Sequence, residues 1–333
     1  MLKSVCASLG LTLICAMLLV PHALRAEDYP LRPIKLLVGA PPGGTTDTIA
    51  RAIAGPMATA LKQPVLVENR PGAGGNIAAE AVAKSAPDGY TLLVSFSSHT
   101  INASLYRNLP YDPAADFTPI TKVATVPSLL VGRPQLPAAD LKALIDLAKA
   151  KPDKLTIAIG GIGSSLHLAG DKFKLMTGTR LLNVPYKGTA PALTDVLAGH
   201  VDLMFISLVT GAAQVRAGNL RAYGVTSPQR QPSFPDVPAI NEVVPGFESN
   251  AWFGVFGPAK LPPAITEKLH EVIVAGLADA TLREHLQDAT LREHLQNEGA
   301  TPVGDTPAEF ATFVRQDIQR WAPIVKASGA TLN

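Results

Sequence analysis

Three glycine-rich segments of the sequence bring backbone amides together with small polar side chains. They are the first loop (Gly43–Asp47), the second loop (Gly72–Asn76) and the third loop (Gly160–Ser165). Each stands between a strand-like and a helix-like stretch, so its amides should point outward at the positive end of a helix, which suits an anion such as a carboxylate. A tight strand–helix turn is the simpler interpretation of any single loop. Three loops at strand ends favour a shared ligand site.

The elements that must position these loops follow a strand–loop–helix rhythm. Its predicted strands are Ile34–Val38, Val65–Val67, Thr91–Ser95, Ser128–Val131, Thr156–Ile159, Leu181–Val184, Leu203–Ile206 and Ala222–Thr226. Helical patterns separate them, over Thr46–Leu61, Leu141–Lys149 and Ser165–Thr177 among others. This alternation predicts an α/β fold with crossover helices. Two such runs and a helical tail predict two lobes around a cleft, with crossings in the proline-rich stretches Pro119–Pro127 and Pro245–Pro258.

The first 26 residues predict a cleaved signal peptide and therefore a periplasmic protein. Lys3 supplies a positive start, Val5–Val20 is almost wholly apolar, and Ala26 is the small residue that a signal peptidase needs. A run of this length is short for a membrane span, although a retained anchor is the alternative. The expected lobes are then 27–124 with 252–333 (lobe 1, discontinuous) and 125–251 (lobe 2).

Composition excludes several classes of site. Both cysteines, Cys6 and Cys15, lie in the predicted signal peptide, so we expect no disulfide and no cysteine-based metal site. The 29 basic residues include Lys3 and Arg25, so 27 remain beside 27 acidic ones. That balance argues against a nucleic-acid partner.

The sequence also lacks the common enzyme motifs. It has no G-x-S-x-G elbow, no phosphate-binding P-loop and no H-E-x-x-H. The second and third loops both fail the dinucleotide fingerprint at its third glycine position. His99 and His167 stand near the loops, and we expect them to be structural groups that hydrogen-bond the backbone. We therefore expect no catalytic residue, no metal and no cofactor.

One perfect tandem repeat stands out: Asp279–Gln287 recurs as Asp288–Gln296. Nine residues rotate a continuous helix by about 180°. The leucines of the two copies would then face opposite sides, so we expect two short helices with a break near Asp288.

The motifs resemble one family over nearly the whole mature chain: the substrate-binding proteins of tripartite tricarboxylate transporters, also called the Bug or TctC family. The residues that carry the resemblance are Pro42–Asp47, Ile49–Arg51, Val67–Asn76, Ala86–Leu92, His167–Gly170, Val184–Gly188, Pro235–Pro238 and Trp252–Gly254. The ENRPGAGGN and PDGYTL stretches within them are highly specific.

The resemblance implies a type II periplasmic-binding-protein fold whose two α/β lobes close around a ligand cleft. It implies a carboxylate ligand, held largely by amides and hydroxyls. The candidate contacts are Gly43, Gly44, Thr45, Thr46, Asp47, Ser97, Ser98, Gly163, Ser164, Ser165, Tyr186 and Ile206. Lys187 is either an electrostatic contact or a surface residue.

Two departures from the family pattern concern the pocket. Ala40 stands where the family usually has an aromatic residue, and Ile206 stands where many members have Asp. Both predict a roomier and more apolar pocket, which favours a bulkier or aromatic carboxylate over an amino acid.

The leading interpretation is a monomeric transport receptor. It hands a small organic carboxylate (a di- or tricarboxylate or an aromatic acid) to the membrane subunits of a tripartite tricarboxylate-type transporter. A periplasmic sensor that presents the bound carboxylate to a signalling partner is the alternative. A hydrolase is the third reading, disfavoured by the absent motifs.

Overall fold

The computed structural model describes residues 29–278 and 300–332 of the chain. The predicted signal peptide (1–26) and the tandem repeat (279–296) lie outside the described residues, so both stay predictions. Within the described residues, no helix is long and apolar enough to cross a membrane.

Strands and helices alternate along most of the chain. In chain order they are β1 (Ile34–Val38), α1 (Thr45–Leu61), β2 (Val65–Asn69), α2 (Asn76–Ala83), β3 (Thr91–Phe96), α3 (Ser98–Leu105), β4 (Phe117–Val126), β5 (Ser128–Gly132), α4 (Leu141–Ala150), β6 (Thr156–Ile159), α5 (Ser165–Thr177), β7 (Leu182–Pro185), α6 (Thr189–Leu197), β8 (Leu203–Ser207), α7 (Leu208–Arg216), β9 (Arg221–Val225), β10 (Ala251–Pro258), α8 (Pro263–Ala278), β11 (Thr301–Pro302) and α9 (Pro307–Ser328). Short 3-10 turns occur at Ala73–Gly75 and Ile240–Glu242.

The strands form two sheets with the same internal order. The first sheet runs β2-β1-β3-β10-β4-β11 and the second runs β7-β6-β8-β5-β9. In each, a trio of parallel strands is followed by one antiparallel strand, which is β10 in the first sheet and β5 in the second. This confirms the predicted α/β architecture with two lobes. Lobe 1 contains the first sheet and lobe 2 contains the second.

The sheets are covered on both faces, which explains the apolar runs in the sequence. Every residue of β5 is buried, and so are four of the five residues of β1. In lobe 1 the two faces pack against separate clusters, one centred on Ile49 and Leu269 and one on Trp252 and Phe310. Lobe 2 likewise has one cluster on each face of its sheet.

The chain passes between the sheets at two neighbouring points. Pro127 alone separates β4 from β5, and β10 begins at Ala251. Thr226 links the two points: its Oγ1 accepts the Ser128 amide at 2.8 Å and donates to Asn250 Oδ1 at 3.1 Å. Thr226 is fully buried. The two crossings are therefore held together by one side chain.

The helix α9 packs on both lobes. Its residues Trp321, Ile324 and Val325 form one buried cluster with Ile101 and Leu105 of α3 and with Leu168 of α5. Because α3 belongs to lobe 1 and α5 to lobe 2, this cluster spans the boundary between them.

The predicted strands agree with the observed ones to within about two residues, but the proline-rich stretches hold more structure than expected. Most of Pro119–Pro127 and the end of Pro245–Pro258 are the strands β4 and β10. Pro119 pairs with Phe256 beside a register shift, where a missing N–H is tolerated. The helices α3, α6 and α7 were also not predicted.

Candidate functional site

The first loop lies at the surface and is fixed by one carboxylate. Gly43 has φ +80°, a left-handed conformation that glycine adopts without strain. Its N–H donates to Asp47 Oδ2 at 2.9 Å, and the same oxygen accepts Arg51 Nε at 3.0 Å. Asp47 Oδ1 accepts the Asn69 amide at 2.9 Å. The Asp47 side chain thus ties the loop, α1 and β2 together.

The charge of Asp47 is stabilised where it stands. Burial by itself would raise the pKa of this carboxyl, but hydrogen bonds from Arg51, the Gly43 amide and Asn69 outweigh burial and lower the pKa below its usual range. Asp47 was predicted as a ligand contact. The structure places it 3 % exposed, with both oxygens engaged inside the protein, so it braces the loop.

The third loop joins β6 to α5 and is fixed in the same way by an imidazole. Gly163 has φ +77°, and its N–H donates to His167 Nδ1 at 3.0 Å. Ser164 is the N-cap of α5, and its Oγ accepts the His167 amide at 3.2 Å. The prediction that His167 hydrogen-bonds the backbone is confirmed, and so is that for His99, whose Nε2 is 2.9 Å from Pro113 O.

The tautomer of His167 follows from its neighbours. Since Nδ1 accepts from Gly163, the ring proton sits on Nε2, which is 3.1 Å from Asp171 Oδ2. The other tautomer would turn a ring N–H toward the N–H of Gly163 and leave no proton on the nitrogen that faces Asp171. Asp171 in turn pairs with Lys174 at 2.6 Å. Burial lowers the pKa of His167; Asp171 opposes this shift and Lys174 adds to it.

The second loop supplies a carbonyl that holds two polar side chains of α3. Ser98 Oγ donates to Gly74 O at 2.8 Å, and Asn102 Nδ2 donates to the same oxygen at 3.2 Å. Asn102 Nδ2 also donates to Asn76 Oδ1 at 2.6 Å. Two oxygens therefore flank this nitrogen and set the orientation of the amide.

A cavity of about 280 Å³ lies where the second and third loops face each other. Its described lining residues are Gly74, Phe96, Ser98, Asn102, Leu105, Tyr106, Ile162, Gly163, Ser164, Ser165 and Leu332. The lobes touch at its edge, because a Cβ added to Gly163 would lie 2.5 Å from Leu105 Cδ2. Four predicted contacts, Ser98 and Gly163–Ser165, are thus brought together in one place.

The first loop does not line this cavity. Gly39, just before it, packs so closely on the second loop that an added Cβ would lie 2.7 Å from Gly75 Cα. Gly75 in turn packs on the Phe96 ring, which does line the cavity. The second loop and the Phe96 ring therefore separate the cavity from the exposed part of the first loop (Gly43, Gly44 and Thr45). Thr46 is buried, at 6 % exposure.

Three further predicted contacts are engaged elsewhere. Ser97 is 1 % exposed, and its Oγ accepts the Trp252 amide at 2.9 Å. Ile206 is fully buried and packs in the lobe 2 core, so its replacement of an acid does not reach the cavity. Tyr186 donates its hydroxyl to Asp195 at 2.6 Å. Burial and the Asp195 carboxylate raise the pKa of Tyr186 to about 12, so it remains a donor. Lys187 is exposed.

Sequence reasoning missed the apolar wall of the cavity. A signal for it was present directly after β3, where four lining residues follow helical spacing: Ser98, Asn102, Leu105 and Tyr106. Recognising that spacing would have predicted α3. Leu332 gave no local signal, because it reaches the cavity through a bridge to Tyr106.

A larger opening of about 490 Å³ lies between Leu208, Gln231–Ser233 and Ala300–Pro302. It touches none of the glycine-rich loops, and Ala300 is the first described residue after the gap. The smaller cavity is therefore the candidate site.

Two lobes with the same strand order, joined at neighbouring crossings and enclosing a cavity at strand ends, define a periplasmic-binding-protein fold. A profile of the tripartite tricarboxylate transporter family receptor matches residues 49–330, so the chain belongs to that family. The resemblance drawn from the sequence motifs is thereby confirmed.

Individual relatives agree along most of the chain. Protein BugT of Bordetella pertussis is 40% identical over 312 residues, which cover 93% of this chain and 93% of BugT. The solved structure of the periplasmic binding protein BugD is 36% identical with a TM-score of 0.72, covering 91% of this chain and 99% of BugD.

Two solved structures contain acids. An R. palustris protein with adipate is 36% identical, with a TM-score of 0.75 and coverage of 92% of this chain and 100% of that one. MatC from Rhodopseudomonas palustris with bound malate is 34% identical, with a TM-score of 0.71 and coverage of 89% and 100%. These comparisons confirm the predicted fold.

Proposed function

We propose that this chain is a periplasmic receptor that binds a small organic carboxylate between its lobes and delivers it to the membrane subunits of a tripartite tricarboxylate-type transporter. The observation that carries the proposal is the cavity at the start of α5, where Ser164 and Ser165 stand at a helix N-terminus. Amides at such a terminus favour an anion. The adipate and malate in two relatives support the same ligand class.

Neutral groups perform the recognition. Among the described residues that line the cavity, none is Lys or Arg. The Ser164 hydroxyl accepts the His167 amide, which leaves its own proton to donate. Ser165 is the first residue of α5 and lies on the same wall. We therefore assign the carboxylate to the third loop, with the first loop as a rigid support behind Gly75 and Phe96.

A thermal-shift screen of organic acids tests the binding function. A ligand at about 100 times its dissociation constant should add about 2.7 kcal/mol to the free energy of unfolding. Ser165→Ala should weaken binding by about 0.5–1.5 kcal/mol, the net worth of one hydrogen bond. Ser85→Ala, at the end of α2 and away from the cavity, is the matched control. Stabilisation by neutral or cationic solutes and by no acid would overturn the proposal.

Uptake measurements test the transport role. Cells that contain the two membrane subunits should accumulate a labelled acid only when this chain is also present. Binding of the acid without uptake, together with a signalling response, would instead identify a sensor.

A further inference from the structure

The cavity changes character along one face of α3. Ser98 and Asn102 contribute the polar part of this face, and Leu105 and the aromatic ring of Tyr106 contribute the apolar part. With a rise of about 1.5 Å per residue, the face extends over about 10 Å. Ile162 of lobe 2 and Leu332 complete the apolar part of the wall.

The polar part of the lobe 1 wall offers acceptors to a ligand. The Ser98 hydroxyl proton and the Asn102 amide protons are already directed to the carbonyl of Gly74 and to Asn76. What remains for the cavity is the lone pairs of Ser98 Oγ and Asn102 Oδ1. These groups repel a carboxylate and can accept a hydrogen bond from a hydroxyl.

The donors for an anion lie on the lobe 2 wall, at the N-terminus of α5. The N-terminal amides of a helix lack acceptors within the helix, and Ser164 and Ser165 add hydroxyls there. A second carboxylate on the same ligand would face either the acceptors of α3 or the apolar part of the wall, where Tyr106 has one neutral hydroxyl. No Lys or Arg among the described lining residues would compensate its charge.

We propose, on the basis of the binding function above, that the cavity selects acids with a single carboxylate and an apolar body, and rejects dicarboxylates. The volume of about 280 Å³ restricts the ligand to a small one. A hydroxyl far from the carboxylate is tolerated, because Ser98 and Asn102 can accept from it.

Two matched pairs of acids test this selectivity by calorimetry. Hexanoate and adipate have six carbons each and differ by one terminal carboxylate. In the aromatic series, p-toluate and terephthalate have eight carbons each and differ in the same way. The monocarboxylate of each pair should bind at least tenfold more tightly. Equal or tighter binding of adipate or terephthalate would overturn the selectivity while leaving carboxylate binding intact. Failure of all four acids to bind, together with no stabilisation by any acid in the thermal-shift screen, would refute the proposed function itself.

A variant supplies the missing cation. Ile162 is 59% exposed on the cavity lip, so Ile162→Lys should fold normally. In this variant the ratio of hexanoate affinity to adipate affinity should be at least tenfold lower than in the unmodified protein. Leu197→Lys, also on an exposed leucine of lobe 2, adds the same charge away from the cavity and should leave the ratio unchanged. An unchanged ratio in Ile162→Lys would contradict the assignment of the apolar wall.

Discussion

The first and third loops are fixed by the same kind of hydrogen bond, but to two different side chains. In each, a left-handed glycine donates its N–H to a buried side chain four residues later: Gly43 to Asp47, and Gly163 to His167. Asp47 is a charged group with three donors around it. His167 is a neutral ring that accepts one N–H, from Gly163, and lies 3.1 Å from the Asp171 carboxylate. We therefore expect the third loop to be held more weakly than the first and to lose part of its support when the His167 ring is protonated.

The largest difference should come from removing the brace of the first loop. Asp47→Ala leaves three donors without their acceptor, so the free energy of unfolding should fall by about 3 kcal/mol. Urea denaturation measures this. Asp146→Ala breaks an exposed pair with Lys142 and should cost less than about 0.5 kcal/mol. A loss of under 1 kcal/mol in Asp47→Ala would show that the brace is not needed.

The two glycines themselves give a matched comparison. Alanine at either position pays about 1 kcal/mol for its left-handed backbone. At Gly43 nothing lies within 4 Å of the added Cβ, but at Gly163 the methyl meets Leu105 across the lobe boundary. Gly163→Ala should therefore cost about 1 kcal/mol more than Gly43→Ala. Calorimetric melting of both variants measures the difference, and equal melting temperatures would mean that the lobes do not touch there.

The smallest effect should be the pH response of the third loop. Because burial lowers the pKa of His167, the unfolded chain takes up a proton near pH 6.5 that the folded chain does not, so stability falls as the pH drops through that value. Asp47 has a lowered pKa, so its contribution persists until the pH falls below about 4. Between pH 7 and pH 5, the contribution of His167 in the third loop to the free energy of unfolding should therefore decrease, and that of Asp47 in the first loop should not.

Ligand affinity and urea denaturation at several pH values check this response. His167→Asn keeps an acceptor near Gly163 but does not titrate, so its profile should be flatter than that of the unmodified protein. His99, whose pKa burial lowers to about 4, contributes equally to both profiles. Identical slopes for His167→Asn and the unmodified protein would refute this effect of protonating His167.

The parts of the fold that depend on short sequence patterns could be predicted, and those that depend on distant pairing could not. The strands around Ile34 and Thr156 and the glycine loops after them are encoded locally. The place of β10 between β3 and β4 is not, because residues more than 100 apart meet there. The apolar character expected from Ile206 comes instead from Leu105 and Tyr106, on a helix that the sequence reading missed.

The hydrogen bonds that fix the first and third loops have a sequence signal that the sequence analysis did not use. Gly43 and Asp47, like Gly163 and His167, are four residues apart at a helix start, a spacing that brings a side chain back to the preceding turn. The spacing is visible in the sequence. Whether the side chain turns inward depends on its further partners, which are Asn69 on β2 for Asp47 and Asp171, one turn along α5, for His167.

The position of β10 also sets the order in which the protein can be built. The strands of the second sheet, β5 to β9, follow one another along the chain, so this sheet can form as soon as they have emerged. The first sheet must wait for residues 251–258, and until then the facing edges of β3 and β4 stay without their shared neighbour. Open edges of this kind pair readily with other chains. During folding the slow and vulnerable step is therefore the insertion of β10 between β3 and β4, because the chain reaches β10 only after all the strands of the second sheet.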